Sequence, residues 1–204
     1  MTKQRVTLYI VLAAVIVVGS VKLISVFSQK GIDSVSARTK GHPNATVKIV
    51  EFIDFQCPAC AYGSKLLGQY IVKYPQDVQV QMKYFPLAKH HAHAMRSALY
   101  SECAGRQNKF WQFHELLMAQ QAQWSGVINA DSHFLNIARQ AGIDLAQLNV
   151  CLGSDEVAKT INDDRVLGQS LGVQSTPTYF VNNKMVVGAK SLTDELNTYF
   201  SPEK

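Results

Sequence analysis

The sequence has few of the features that mark several large classes of protein. Among its 204 residues there are only four cysteines, six prolines and 15 acidic side chains. It has no internal repeat and no low-complexity segment, so neither a repeat architecture nor a compositionally disordered chain is predicted. The formal charge of +5 lies within the first 40 residues, and no basic stripe with interleaved aromatic residues follows. A nucleic-acid-binding protein is therefore not predicted.

The N-terminus, MTKQRVTLYIVLAAVIVVGSVKLISVFSQK, is basic at its start and then largely apolar. As a helix, residues 6–27 would be ~33 Å long, enough to span the hydrocarbon core of a membrane. Lys3 and Arg5 place the N-terminus in the cytoplasm and the rest of the chain outside. A cleaved signal peptide is the alternative. Both interpretations predict a cell-envelope protein, and the first anchors it to the cytoplasmic (inner) membrane with its folded domain outside, where disulfides are permitted.

The pattern of apolar residues after the N-terminal segment predicts one α/β domain. Residues 47–55 are apolar almost throughout, as in a strand buried on both faces, and residues 77–85 alternate as a second strand. A helical pattern joins them, so the domain opens with a βαβ unit. From 89 to 168 helical patterns follow one another without a strand. TPTYFV and KMVVGA then predict a hairpin, and residues 191–200 a closing helix.

The sequence C-P-A-C places Cys57 and Cys60 two residues apart, directly after the first predicted strand. A zinc site would need two further ligands, and Cys103 and Cys151 stand alone; a purely structural bridge is the other alternative. A cysteine in the first turn of a helix faces unpaired N–H groups and the positive end of the helix dipole, which favour the thiolate. The motif therefore predicts a redox pair, with Cys57 as the activated attacker and Cys60 as its less exposed resolving partner.

Three stretches together resemble the DsbA-like thiol–disulfide oxidoreductases, exported proteins with a thioredoxin fold. These are VEFIDFQCPAC, FPLAKHHAHAMRSALYSECAGRQNKFWQFHELLM and GVQSTPTYFVN. The resemblance runs from about residue 47 to residue 200 and implies an α/β thioredoxin-like fold with an inserted α-helical subdomain. The implied segments are a membrane anchor or signal peptide (1–27), a linker (28–46), the thioredoxin-like domain (47–88 and 169–204) and the helical insertion (89–168).

The resemblance also implies roles for five residues. Cys57 attacks or accepts the mixed disulfide, and Cys60 resolves it. Thr176 and Pro177 form a cis-proline loop that pairs with the substrate backbone as an added strand. Glu51, six residues before Cys57, relays protons to the buried Cys60; an orientation of Glu51 toward solvent, set by strand parity, is the alternative.

The two remaining cysteines, Cys103 and Cys151, fall in predicted helices of the insertion. Free thiols are a liability in an oxidising compartment, so a structural disulfide between them is predicted, with two buried free thiols as the alternative.

The histidines at positions 90, 91, 93 and 114 invite comparison with a metal site. The spacing of the first three is more typical of a solvated helix start, so no metal is predicted. The aromatic residues of KFWQFHELL have the spacing of core residues.

The resemblance implies an enzyme that introduces disulfides into reduced or misoxidised exported proteins, without an organic cofactor. A membrane redox partner of the DsbB or VKOR type would reoxidise it. Oxidising members of the family often carry a histidine between the two cysteines, whereas this pair encloses Pro58 and Ala59. A disulfide isomerase or reductase kept reduced by a membrane electron donor is therefore the alternative. A third hypothesis, a non-catalytic metal-binding or adhesion module, conflicts with the intact C-P-A-C and T-P elements.

Overall fold

The computed structural model describes residues 37–200. The predicted membrane segment, residues 6–27, lies outside this part, and no helix within it is both long and apolar enough to cross a membrane. The described residues form one five-stranded sheet in the order β1-β3-β2-β4-β5. Only the pair β2 and β3 is parallel; the other neighbours are antiparallel. The strands are β1 (Thr39–Gly41), β2 (Val47–Ile53), β3 (Val78–Tyr84), β4 (Thr178–Val181) and β5 (Lys184–Val187).

Helices connect these strands in the manner predicted for a thioredoxin-like fold with an insertion. The first, α1, joins β2 to β3, six helices lie between β3 and β4, and α8 ends the described chain. The helices are α1 (Pro58–Lys73), α2 (Ala94–Gly105), α3 (Phe110–Ala119), α4 (Gln121–Trp124), α5 (Asp131–Gln140), α6 (Leu145–Leu152), α7 (Asp155–Ser170) and α8 (Gly188–Phe200).

The central strand β2 is covered on both faces, which explains its nearly continuous apolar sequence. On one face Val47 and Ile49 pack with residues of α1 and α8. On the other face Phe52 packs edge-on against Phe85, with ring centroids 6.2 Å apart. Helix α7 approaches this second face so closely that a Cβ added to Gly168 would lie 2.8 Å from the Phe85 ring. A residue without a side chain is therefore needed where α7 crosses the sheet.

The structure differs from the predicted linker over residues 28–46 in the part that is described. Residues 39–41 form β1, which pairs antiparallel with β3. Just before this strand, Arg38 is buried, pairs with Asp164 and Glu102, and lies over the Tyr84 ring at 4.7 Å. The fold therefore begins before the predicted boundary at residue 47. A three-residue polar strand has no hydrophobic pattern by which the sequence could predict it.

Within the helical insertion, the structure joins Cys103 of α2 to Cys151 of α6 in a disulfide with a Cα–Cα distance of 5.8 Å. Cys103 is fully buried among the residues of the insertion core. The bond links helices that are separated by 48 positions in the chain, so it restricts how far the insertion can open.

Candidate active site

The two cysteines of the C-P-A-C motif lie at the start of α1, where β2 delivers the chain to the end of the sheet. Cys57 is the N-cap residue and Pro58 occupies the first turn, a position in which a helix tolerates proline. Cys57 is 9% exposed, whereas Cys60, one turn further on, is fully buried. Both are free thiols in this structure. One residue of the pair is thus reachable from outside and the other is not.

The environment of Cys57 favours its thiolate. The pKa of Cys57 is lowered from 9.0 to about 5, and the largest cause is the hydrogen bond with the Cys60 side chain. Thr176 and the backbone at Cys60 and Ala59 lower the pKa further, while burial opposes them. In the thiol form the Cys57 sulfur also donates to the Thr176 carbonyl oxygen at 3.4 Å, which favours the thiol, but the net effect is toward the thiolate.

Cys60 has the opposite tendency. Burial, followed by the hydrogen bond and the charge of Cys57, raises the pKa of Cys60 well above its ordinary value. At neutral pH the pair therefore consists of an accessible thiolate and a buried thiol. Because the thiolate is the nucleophile in disulfide exchange, this asymmetry favours Cys57 as the attacking residue in such a reaction.

The loop before β4 lies directly beside Cys57. The peptide bond between Thr176 and Pro177 is cis. The Thr178 hydroxyl donates to the Ser175 carbonyl at 2.7 Å, and the Gly188 amide donates to the Pro177 carbonyl at 2.9 Å. These bonds hold the loop between α1 and the β4–β5 hairpin, so the structure places Thr176 and Pro177 beside Cys57, the less deeply buried cysteine of the pair.

Glu51 lies in the middle of β2, with Tyr179 and Met82 as its neighbours across the sheet. The structure buries its side chain, which is 2% exposed, rather than turning it to solvent. Burial raises the pKa of Glu51 to about 8, and its Oε2 atom has no hydrogen-bond partner within the described chain. Glu51 is therefore a carboxyl group that holds its proton at neutral pH.

Asp54 and Gln121 support the active-site turn but were not predicted from the sequence. The Asp54 carboxylate accepts hydrogen bonds from the amides of Gln56 and Leu87 and contacts His91 Nδ1, each at 2.8 Å. The Gln121 amide donates to the carbonyls of Phe55 and Cys57 at 2.7 and 3.0 Å. Gln121 thereby fastens the helical insertion to the turn that carries Cys57. The sequence could have indicated Asp54, because an acidic residue directly after a buried strand often has a specific role. No sequence pattern distinguishes Gln121 from the other polar residues of the insertion.

The predicted solvated helix start at His90, His91 and His93 is wrong for His93. His90 is exposed and His91 half-buried, but His93 is buried, with Nε2 2.7 Å from the Val127 carbonyl oxygen. His114 is 2% exposed and packs within the aromatic residues of α3. Within residues 37–200 no group of three or more histidine, cysteine or acidic side chains is placed to hold a metal ion.

Comparison with known proteins supports this architecture. The family model described as thioredoxin matches residues 33–198. A thioredoxin-like oxidoreductase from Silicibacter pomeroyi DSS-3 is 26% identical with a TM-score of 0.66, over 84% of this chain and 98% of that one.

Two further structures share the fold. A periplasmic thioredoxin-like protein from Salmonella enterica serovar Typhimurium is 23% identical with a TM-score of 0.65, over 80% of this chain and 90% of that one. The thiol-disulfide exchange protein alpha-DsbA2 from Wolbachia pipientis is 22% identical with a TM-score of 0.67, over 86% of this chain and 93% of that one.

Among curated proteins, the Na(+)/H(+) antiporter NhaA 1 of Mycolicibacterium gilvum (strain PYR-GCK) is 31% identical over 157 residues, which are 75% of this chain. The chain spans about a quarter of the length of the curated relatives it matches. The thioredoxin-like fold and the resemblance to DsbA-like proteins, both predicted from the sequence, are confirmed.

Proposed function

Because the chain belongs to the thioredoxin family and is a thiol–disulfide oxidoreductase of DsbA-like architecture, we propose that it introduces disulfide bonds into exported proteins. The observation that carries this proposal is the asymmetry of the cysteine pair. An accessible Cys57 whose pKa is lowered to about 5 lies next to a buried Cys60 whose pKa is raised. Stabilising the Cys57 thiolate stabilises the reduced enzyme, and an enzyme with a stabilised reduced form is a disulfide donor.

The oxidation of a substrate begins with the Cys57–Cys60 disulfide. A substrate thiolate attacks the sulfur of Cys57, and Cys60 leaves and takes up a proton. A second substrate thiolate then attacks the substrate sulfur of the mixed disulfide, which forms the substrate disulfide and releases Cys57 as a thiolate. The low pKa of Cys57 favours this last step, because a thiol of lower pKa is the better leaving group.

The cis-proline loop supplies a place for the substrate chain. The Thr176 carbonyl oxygen lies 3.4 Å from the Cys57 sulfur, so a peptide bound along this loop would present its own sulfur to Cys57. Backbone pairing with residues 176 and 177 as an added strand would hold many sequences alike. Pro58, Ala59 and Tyr62 are exposed around Cys57 and complete the proposed contact surface.

Glu51 is the proposed proton donor and acceptor for Cys60. With a pKa raised to about 8 it is protonated at neutral pH and can protonate Cys60 as it leaves. In reoxidation the carboxyl group first releases its proton to solvent, and the resulting carboxylate accepts the proton of Cys60.

Substrates, partner and location follow from the same proposal. The substrates are reduced or misoxidised exported proteins, and a membrane protein of the DsbB or VKOR type reoxidises the pair. Residues 6–27 anchor the chain to the cytoplasmic membrane, with the described domain on the outer side. The apolar N-terminal run supports this placement, as does the fold shared with a periplasmic protein. Recovery of the full-length chain in the soluble fraction of lysed cells would count against the anchor.

The test of the oxidising role is the equilibrium redox potential of the Cys57–Cys60 pair in glutathione buffers, with Cys103 and Cys151 retained. Reference values run from roughly −120 mV for a strong oxidant to roughly −270 mV for thioredoxin. A potential near the first value is expected. A potential near the second would replace the oxidase with the alternative, an isomerase or reductase kept reduced by a membrane electron donor. The Cys57→Ser variant is the control, because it cannot form the redox disulfide.

A further inference from the structure

A cavity of about 370 Å³ lies between β1, β2, α1 and α3. Glu51 lines it from the sheet and His114 from α3, together with Lys40 and Glu115. Lys40 and Glu115 are exposed side chains, and their charged groups are 2.6 Å apart. The cavity therefore reaches from a buried carboxyl group to a solvated ion pair at the surface.

Two side chains present unpartnered polar atoms to this cavity. The Oε2 atom of Glu51 and both ring nitrogens of His114 are buried and lack a hydrogen-bond partner within the described chain. Leaving buried polar groups unpaired is unfavourable, so native proteins usually supply a partner. The cavity is much larger than one water molecule, and water that enters it can bond to these buried polar atoms.

We propose that His114 holds a chain of water in this cavity, through which Glu51 exchanges the proton of Cys60 with solvent. The inference rests on the proposed function, because only a working Cys57–Cys60 pair needs this exchange. When Cys60 leaves as a thiolate, it takes the proton of the Glu51 carboxyl group. A proton from solvent then passes along the water and restores that carboxyl group. In reoxidation a disulfide reagent such as oxidised glutathione first forms a mixed disulfide with Cys57. Cys60 then attacks the Cys57 sulfur and releases the other half of the reagent as a thiolate. For this step Glu51 first gives its proton to solvent along the water, and its carboxylate then accepts the proton of Cys60.

The chemistry of His114 suits this positioning role. Burial, followed by the charge of Lys40, lowers the pKa of His114 to about 3, so the ring is neutral at physiological pH. A neutral imidazole donates through one nitrogen and accepts through the other, and can therefore orient water on both sides. The other ionisable groups that face the cavity are Lys40 of β1, Glu51 of β2, Lys65 of α1 and Glu115 of α3.

The packing around the ring makes an alternative partner hard to find. Its centroid lies 5.6, 5.7 and 5.1 Å from the ring centroids of Phe55, Phe110 and Trp111. Aromatic neighbours on these sides offer His114 no acceptor comparable to a carbonyl, so the cavity is where its hydrogen bonds can be made.

The test separates the step that needs the Cys60 proton from the step that does not. The reduced full-length chain is mixed with oxidised glutathione, quenched with acid at intervals, and analysed by mass spectrometry. Cys57 first forms a mixed disulfide, and Cys60 then resolves it. In the His114→Phe and His114→Leu variants, resolution is expected to be about ten-fold slower at neutral pH. His114→Gln, whose amide both donates and accepts, should restore most of the rate.

Three further measurements distinguish the proposed role from a packing effect. Alkylation of Cys57 by iodoacetamide should be the same in every His114 variant, because it does not require Cys60 to lose its proton. Met118→Leu changes an apolar residue that lines the same cavity and should leave resolution unchanged. With Glu51→Gln in the same chain, His114→Phe should slow resolution little further, because both changes interrupt one route.

Several outcomes would overturn the inference. A normal rate of resolution in both His114→Phe and His114→Leu would do so. An equal slowing in Met118→Leu would also do so. The third is a double variant of Glu51→Gln and His114→Phe in which the slowing equals the product of the two single effects. These results would leave the proposed function intact. Failure of the unmodified chain to form the Cys57–Cys60 disulfide from glutathione would instead defeat the proposed function itself.

Discussion

The acidity of Cys57 should depend on the thiol of Cys60. The Cys60 side chain is the largest contributor to the lowering of the Cys57 pKa from 9.0 to about 5. At this value thiolate outnumbers thiol by about 100 to 1 at pH 7. In a Cys60→Ala variant the donor is gone, and the pKa of Cys57 is expected to rise by at least about one pH unit. The ultraviolet absorbance of the thiolate, followed against pH in the reduced protein, measures this directly.

Cys60→Ser is the matched control, because its hydroxyl can still donate to the Cys57 sulfur. In Cys60→Ser, the pKa of Cys57 should lie between its values in the unmodified protein and in Cys60→Ala. The pH midpoint of Cys57 alkylation by iodoacetamide should rank the three proteins in the same order, since only the thiolate reacts. An unchanged midpoint in Cys60→Ala would refute the reasoning, because it would assign the acidity to the helix terminus and Thr176 alone. A midpoint above pH 7 in the unmodified protein would refute the asymmetry itself.

Three further predictions concern stability. The folded state raises the pKa of Glu51 from 4.5 to about 8, so the native protein keeps a proton that the unfolded chain loses, and stability falls as pH rises through this window. Between pH 4.5 and about 8, the free energy of unfolding of Glu51→Gln should rise relative to that of the unmodified protein by up to about 5 kcal/mol, as measured by urea titration. A difference between the two proteins that does not change with pH would contradict this. Replacing Cys103 and Cys151 with alanine should lower the free energy of unfolding by about 4 kcal/mol in denaturant melts of the reduced Cys57–Cys60 form. An unaltered midpoint would show that the insertion does not need the bond. Gly168→Ala should cost about 1–3 kcal/mol, because its Cβ would meet two phenylalanine rings at 2.8–3.0 Å. Gly68→Ala, which meets nothing within 4 Å, is its control and should not destabilise.

Much of the fold could be predicted because its strands have strong local patterns. The predicted strands over 47–55 and 77–85 contain the observed β2 and β3, and the predicted hairpin contains β4 and β5. The closing helix begins at Gly188, three residues before its predicted start at 191. The missed strand β1 is polar and short, and exists only through pairing with β3. Elements that tertiary pairing creates leave no periodic signal in the sequence.

The candidate site was predictable where the chain itself brings residues together. Cys57 and Cys60 are neighbours on one helix, and the resemblance to DsbA-like proteins implied the Thr176–Pro177 loop beside them. Gln121 and His114 reach the site from the helical insertion, far along the chain. Whether such a side chain faces the site, the core or solvent depends on how the helices pack, which periodicity alone does not determine.

The positions of the two cysteines on α1 also give a physical reason for the proposed proton transfer from Glu51 to Cys60. Cys57, at the N-cap, has the backbone and the Cys60 thiol to stabilise its negative charge. One turn further along, Cys60 is enclosed by the core, and burial raises its pKa. The placement that makes the first sulfur a good leaving group therefore makes the second a poor one unless a proton reaches it. Glu51 is a protonated carboxyl group in the strand beneath α1, on a cavity that opens toward solvent. One helix thus accounts for both features. Its first turn, C-P-A-C, stabilises the Cys57 thiolate, and its packing over β2 buries Glu51.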